Sequence, residues 1–129
     1  DTIFVYSGTY KENIVINKQL LLDGQNKNNT IIDGNDRDDV VLITSNFVNI
    51  GVFTIQNSGN DAWDDAGIDI YSGGNTITGN IIRNNGWYGI FCIGDWYSYY
   101  EGYNNIYDNI VINNEFGIFL DRCFIFSAV

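Results

Sequence analysis

Apolar positions in this chain come in short runs, each broken after a few residues by Asn, Gly or Asp. Glu12-Asn13-Ile14-Val15-Ile16, Gln19-Leu20-Leu21-Leu22-Asp23-Gly24, Thr30-Ile31-Ile32-Asp33-Gly34 and Val40-Val41-Leu42-Ile43 are of this kind. β-branched and other aliphatic residues fill the runs and turn-forming residues bound them, so each reads as a short strand. Helices are poorly served by that composition.

The downstream part repeats. Asn75-Thr76-Ile77-Thr78-Gly79-Asn80-Ile81-Ile82-Arg83-Asn84-Asn85 aligns without a gap on Asn104-Asn105-Ile106-Tyr107-Asp108-Asn109-Ile110-Val111-Ile112-Asn113-Asn114. A more divergent copy runs from Val48 to Gly59. Each copy leads into a Gly-Ile strand, at Gly67-Ile68, Gly89-Ile90 and Gly117-Ile118, with spacings of 89 − 67 = 22 and 117 − 89 = 28 residues. Units of that length, built from short strands and turns, suit one turn of a parallel strand solenoid. The pattern therefore predicts a single all-β domain over residues 1–129, with about four to five rungs. In such a stack like residues form ladders, about 4.8 Å apart along the axis. Ile14, Ile16, Ile43, Ile68, Ile70, Ile77, Ile90 and Ile118 are expected inside. Asn57, Asn84 and Asn113 are expected to share one corner, and Asn80 and Asn109 another, as turn residues that tolerate left-handed backbone.

These repeats resemble the right-handed, single-stranded parallel β-helix family of pectate-lyase-like architecture. Within it they resemble the carbohydrate-binding and sugar-hydrolase repeat group that includes NosD-type proteins. The likeness is carried by the repeats above, by the opening Gly8-Thr9-Tyr10-Lys11-Glu12-Asn13-Ile14, similar to a "GTY.ENI" segment, and by Gly24 to Gly34. It covers nearly the whole chain and implies a secreted or cell-surface protein with glycan as partner. The group spans lyases, hydrolases, epimerases, surface proteins and a copper-enzyme maturation factor, so the fold does not choose among activities. Tyr88-Gly89-Ile90-Phe91-Cys92 falls where related alginate epimerases carry "YGIDPH"; Phe91 and Cys92 stand in place of the acid and the proline, and no His follows. A lyase's basic proton abstractor has no good counterpart in Arg83 or Arg122. The copper role lacks its soft ligands, since the chain has no Met and no His.

Composition narrows the chemistry further. With no His, any Ser-His-Asp or Cys-His machinery is excluded, and activity would fall to carboxylate, Tyr, Arg, Lys or backbone groups. Six Lys and Arg against 16 Asp and Glu give a formal charge of −10, which argues against nucleic acid and is compatible with neutral sugars or Ca²⁺. No run approaches the roughly 20 apolar residues that cross a bilayer, so no membrane insertion is expected. Cys92 and Cys123 read first as buried free thiols, with a disulfide as the alternative. Both ends look cut from a longer helix, and uncapped rungs predict end-to-end or lateral self-association.

Two insertions mark the candidate site. Asn60 to Ala66 enters the strand at Gly67, and Asp95 to Tyr103 leaves the strand ending near Ile93; together they are expected to wall a groove. If Ile68, Ile70, Ile90, Cys92, Ile118 and Leu120 point inward, the outward set is Asp69, Tyr71, Phe91, Ile93, Phe119 and Asp121. Outward rings beside Trp63, Trp87, Tyr88, Trp96, Tyr97, Tyr99 and Tyr100 form an aromatic surface of the kind that stacks on sugar faces. Trp63, Asp69, Tyr71, Phe91, Trp96 and Tyr99 are the expected glycan ligands. The alternative is that the loop aromatics fold down as a lid. Catalysis on a glycan needs two carboxylates, for which Asp69, Asp65 and Asp95 are the candidates, with Asp64 and Glu101 beside them. The sequence establishes no cofactor; Ca²⁺ is the cation whose oxygen chemistry suits Asp61, Asp64 and Asp65, although their spacing is not that of an EF-hand. Three readings stand: a surface module binding polysaccharide, a structural or adhesive repeat without catalysis, and a piece of a polysaccharide lyase or glycosidase.

Overall fold

The computed structural model describes residues 1–94 and 103–125, with side chains to residue 123. All regular structure among them is strand. The first two triplets are β1 (Thr2–Val5), β2 (Gly8–Lys11), β3 (Ile14–Ile16), β4 (Leu21–Gly24), β5 (Thr30–Asp33) and β6 (Val41–Ile43). There follow β7 (Asn49–Gly51), β8 (Thr54–Gln56), β9 (Ala66–Ile70), β10 (Thr76–Thr78), β11 (Ile81–Arg83) and β12 (Tyr88–Ile93). The last are β13 (Tyr103–Tyr107), β14 (Ile110–Ile112), β15 (Phe116–Asp121) and β16 (Phe124–Ile125). Every third strand is a parallel neighbour, giving sheets of six (β1-β4-β7-β10-β13-β16), five (β2-β5-β8-β11-β14) and five strands (β3-β6-β9-β12-β15). The chain is a β-solenoid, with strands stacked in the register that the repeats predicted.

The interior is an aliphatic column. Val41, Ile43, Ile68, Ile70, Ile90 and Cys92 from the third sheet meet Ile50 and Ile77 from the first and Ile55 and Ile82 from the second, none more than 1% exposed. Of the isoleucines expected inside, Ile14 is only half-buried and packs at the margin of this core, and Ile118 is 40% exposed in the last rung of the third sheet.

Three Asn columns close the corners. Asn75 Nδ2 donates to Asn104 Oδ1 at 2.9 Å, Asn80 Nδ2 to Asn109 Oδ1 at 3.1 Å and Asn85 Nδ2 to Asn114 Oδ1 at 3.0 Å. Upstream, the same Oδ1 atoms of Asn75, Asn80 and Asn85 accept the backbone N–H of Val48, Phe53 and Ser58. Each side chain thus satisfies buried backbone groups that the strand ladder cannot reach. The Gly before Ile68 and the Gly before Ile90 make room for this: a Cβ on Gly89 would sit 2.6 Å from Gly117 O and 2.8 Å from Asn114 Nδ2. Asn57, Asn84 and Asn113 turn the outer corner with φ of 58°, 55° and 56°, the left-handed conformation their shared position predicted.

The cysteines correct the first expectation. Cys92 and Cys123 form a disulfide, with Cα atoms 5.9 Å apart. In register Cys92 lies over Leu120, and the left-handed turn at Arg122 (φ 53°) brings Cys123 back to the core margin. In place of the expected buried thiols, the two cysteines form a covalent link between adjacent rungs.

Candidate acidic and aromatic face

The outer face of the third sheet carries one continuous column. Strand register stacks Val15 on Leu42, Leu42 on Asp69, Asp69 on Phe91 and Phe91 on Phe119. At about 4.8 Å per rung, this is a strip roughly 19 Å long, apolar at one end, aromatic at the other, with one acid between. The inward and outward assignment of these strands follows the predicted alternation.

A cleft of about 300 Å³ opens at the Val15 end, lined by Asn13, Ile14, Val15, Asp38, Asp39, Leu42, Asp64 and Asp65. Two loops from successive rungs build its acidic wall. Asn13 Nδ2 holds the earlier loop by donating to the carbonyls of Arg37 and Asp39 at 2.7 and 2.8 Å. The later loop closes on itself: Asp65 Oδ2 accepts from Asp61 N at 2.7 Å, and Asp61 Oδ1 from Trp63 N at 3.3 Å. Asp39 Oδ1 ties the two together by accepting from Ala66 N at 2.8 Å. Trp63 stands on the turn with 84% of its surface exposed.

Asp69 points outward yet is only 1% exposed. Neither of its oxygens has a hydrogen-bond partner at full bonding geometry. The polar groups that bear on it are the Asp39 carboxyl, the Tyr71 hydroxyl and the Asp64 charge. Burial, and then the Asp39 charge, push Asp69 up to about 8; burial pushes Asp39 up to about 6. Each carboxyl therefore disfavours ionisation of the other, and burial of the pair favours the protonated form of Asp69 most. Burial, with repulsion from Asp38, Asp61 and Asp64, also raises Asp65. Burial, reinforced by the charge on Asp69, raises the Tyr71 hydroxyl.

At the other end the rings pack on one another. Tyr88 stacks on Phe91 at 4.6 Å, Phe91 on Phe119 at 5.3 Å, and Trp87 meets Phe116 edge-on at 5.2 Å. Tyr88 and Phe91 are each 6% exposed, whereas Phe116 and Phe119 remain open. The Trp87 indole N–H is buried with no acceptor.

Of the expected site residues, the structure brings Asp64 and Asp65 to the cleft at the Val15 end of the strip, Asp69 to its middle and Phe91 toward the aromatic end, with Tyr71 half-open beside Asp69. Trp63 and Asp61 sit on the turn above the cleft. Asp95, Trp96, Tyr99 and Glu101 lie outside the described residues. Among the described residues no group of three or more His, Cys, Asp or Glu side chains is arranged to hold a metal ion. Sequence reasoning missed Asp38 and Asp39. The signal was present in the rung offset of 69 − 42 = 27 residues, which sets Asp39 one rung before Ala66. Among the described residues no helix is long and apolar enough to cross a membrane. Comparison with protein families, curated proteins and solved structures finds no match for this chain.

Proposed function

We propose that this solenoid is an extracellular or cell-surface module that binds carbohydrate along the outer face of its third sheet. The observation that carries the reading is the single outward column from Val15 to Phe119, which joins an acid-walled cleft to an aromatic surface on one rigid sheet. Sugars need both ends of it. Carboxylates accept hydrogen bonds from hydroxyls, and open rings such as Trp63, Phe116 and Phe119 receive the apolar C–H faces. Placement outside the reducing cytosol is supported by the Cys92–Cys123 disulfide. The test is a glycan array probed with and without Ca²⁺, with hits followed by Trp fluorescence. A saturable hit, weakened about tenfold by Trp63→Ala, is expected; silence across the array with a folded protein would overturn the reading.

A second reading rests on the ring packing. Because Tyr88 and Phe91 are covered by their neighbours, part of the aromatic surface serves the fold itself, as a structural or adhesive repeat would use it. Concentration-dependent sedimentation without any sugar response would select this second reading.

A further inference from the structure

The corner between the first and second sheets departs from the repeat at one rung. Between β4 and β5 the chain takes five residues, 25–29, whereas the corresponding connections of the other rungs take two each, at 6–7, 52–53, 79–80 and 108–109. The extra residues leave the column as an exposed turn, closed by Asn29 N and Thr30 N donating to Asn26 O at 3.0 and 2.8 Å. Both neighbouring rungs grip it: Ser7 N donates to Gln25 Oε1 at 2.9 Å, and Thr54 Oγ1 to Lys27 O at 2.6 Å. Within it, Asn26 Oδ1 accepts from Asn28 N at 2.9 Å and Thr30 Oγ1 from Asn26 N at 3.1 Å. Gln25, Asn26 and Thr30 therefore each serve the turn with their side chains. Asn28 does not: it is exposed, and its side-chain amide makes no hydrogen bond among the described residues.

Asn28-Asn29-Thr30 is also the one Asn-x-Ser/Thr triplet of the chain. Such a triplet is what a glycan transferase requires of its acceptor, an Asn amide with a hydroxyl two residues on. We propose that Asn28 is an N-glycosylation site. In the transfer, Asn28 Nδ2 bonds to C1 of a glycan carried on a lipid phosphate or pyrophosphate. The bond from C1 to the carrier oxygen breaks, its electron pair leaves with the phosphate, and one amide proton passes to a base of the transferase. The inference rests on the extracellular placement in the reading above, which the Cys92–Cys123 disulfide supports independently of this turn. The place in the fold suits a bulky, solvated group. A glycan on Asn28 starts from the corner that joins the first and second sheets, so the outer face of the third sheet stays open. The folded turn also fixes the order of events. Thr30 is fully buried and its hydroxyl is engaged by Asn26 N, so the transferase must read the triplet before the turn closes.

The experiment is mass spectrometry on the whole chain recovered from the cells that make it, with surface and medium separated from cytosol. Proteolysis and fragmentation then locate any sugar. The external chain is expected to carry glycan mass on Asn28. Asn28→Gln keeps every bond of the turn and should remove that mass entirely, while Asn29→Gln preserves the triplet and should leave it unchanged. Thr30→Ala should also remove it, and Thr30→Ser should retain it. Circular dichroism checks the fold of each variant. External chain with a bare Asn28 would overturn the inference and leave the extracellular reading standing. Chain confined to the cytosol and unmodified would remove both. Sugar on Asn28 that survives Thr30→Ala would mean attachment independent of the triplet and would also overturn the inference. A glycosylated Asn28 in a chain silent across the glycan array would sustain this inference and remove the carbohydrate-binding reading alone.

Discussion

Asp69 is the residue at which the sequence pattern and the physical environment disagree most. Strand alternation put it outward, where an acid is ordinarily solvated, and the direction was right. Its burial was not legible, because it depends on what the flanking loops cover. The consequence is testable through pH. Asp69 is raised in the folded state from a usual value of 3.8 to about 8, so the folded protein holds this proton more tightly than the unfolded chain. Its contribution is fully present below about pH 4 and is lost as pH rises toward 8, because the unfolded state releases the proton first. Asp69→Asn keeps the shape, cannot ionise and can donate its amide to Asp39. Urea denaturation should find this variant more stable than wild type at pH 8, with the gap closing toward pH 4. A variant less stable at pH 8 would mean that the Asp69 carboxylate is answered by a charge.

At the scale of elements, the Asn columns show how much a repeat reveals when its register is known. The gapless alignment of Asn75–Asn85 on Asn104–Asn114 places three Asn pairs one rung apart, and all three pairs bond. Asn80 serves Phe53 N, Ile50 O and Asn109 together and is fully buried. Asn80→Ala strands those groups and should lower stability by roughly 2–4 kcal/mol, read as a shift in urea midpoint at constant slope. The disulfide was illegible for the complementary reason. Its separation of 31 residues exceeds the local register of 120 − 92 = 28, so Cys123 has no equivalent in the repeat and is placed only by the turn at Arg122. Closing a loop of that length restricts the unfolded chain. Reduction, or a paired Cys92→Ser and Cys123→Ser change, should therefore cost about 3–4 kcal/mol in thermal or urea unfolding. The loop from Asp95 to Gly102 follows no repeat, and the wall that it was expected to supply lies outside the described residues.

Across the whole molecule, stability in a solenoid is a sum of rung terms and contacts between neighbouring rungs, so it need not be uniform. Ile90 and Ile118 occupy the same inward column in successive strands of the third sheet, with the same side chain and the same glycine before it. They differ in cover: Ile90 is fully buried and Ile118 is 40% exposed. Truncating a fully enclosed isoleucine removes its transfer energy and leaves a cavity that the rungs above and below hold open. Ile90→Ala should therefore cost about 3–4 kcal/mol. At Ile118 much of the surface is already in water and there is no cavity to enclose, so the same change should cost under about 1.5 kcal/mol. Amide hydrogen exchange extends the comparison to every rung, with slowest exchange expected in β6, β9 and β12 and fastest in β1 and β15. The two measurements separate a free last rung from a covered one. If Ile118→Ala costs as much as Ile90→Ala and β15 is protected like β12 in concentrated solution, with both effects fading on dilution, a second copy covers that face. The self-association expected from unpaired strand edges would then be a property of the molecule in solution.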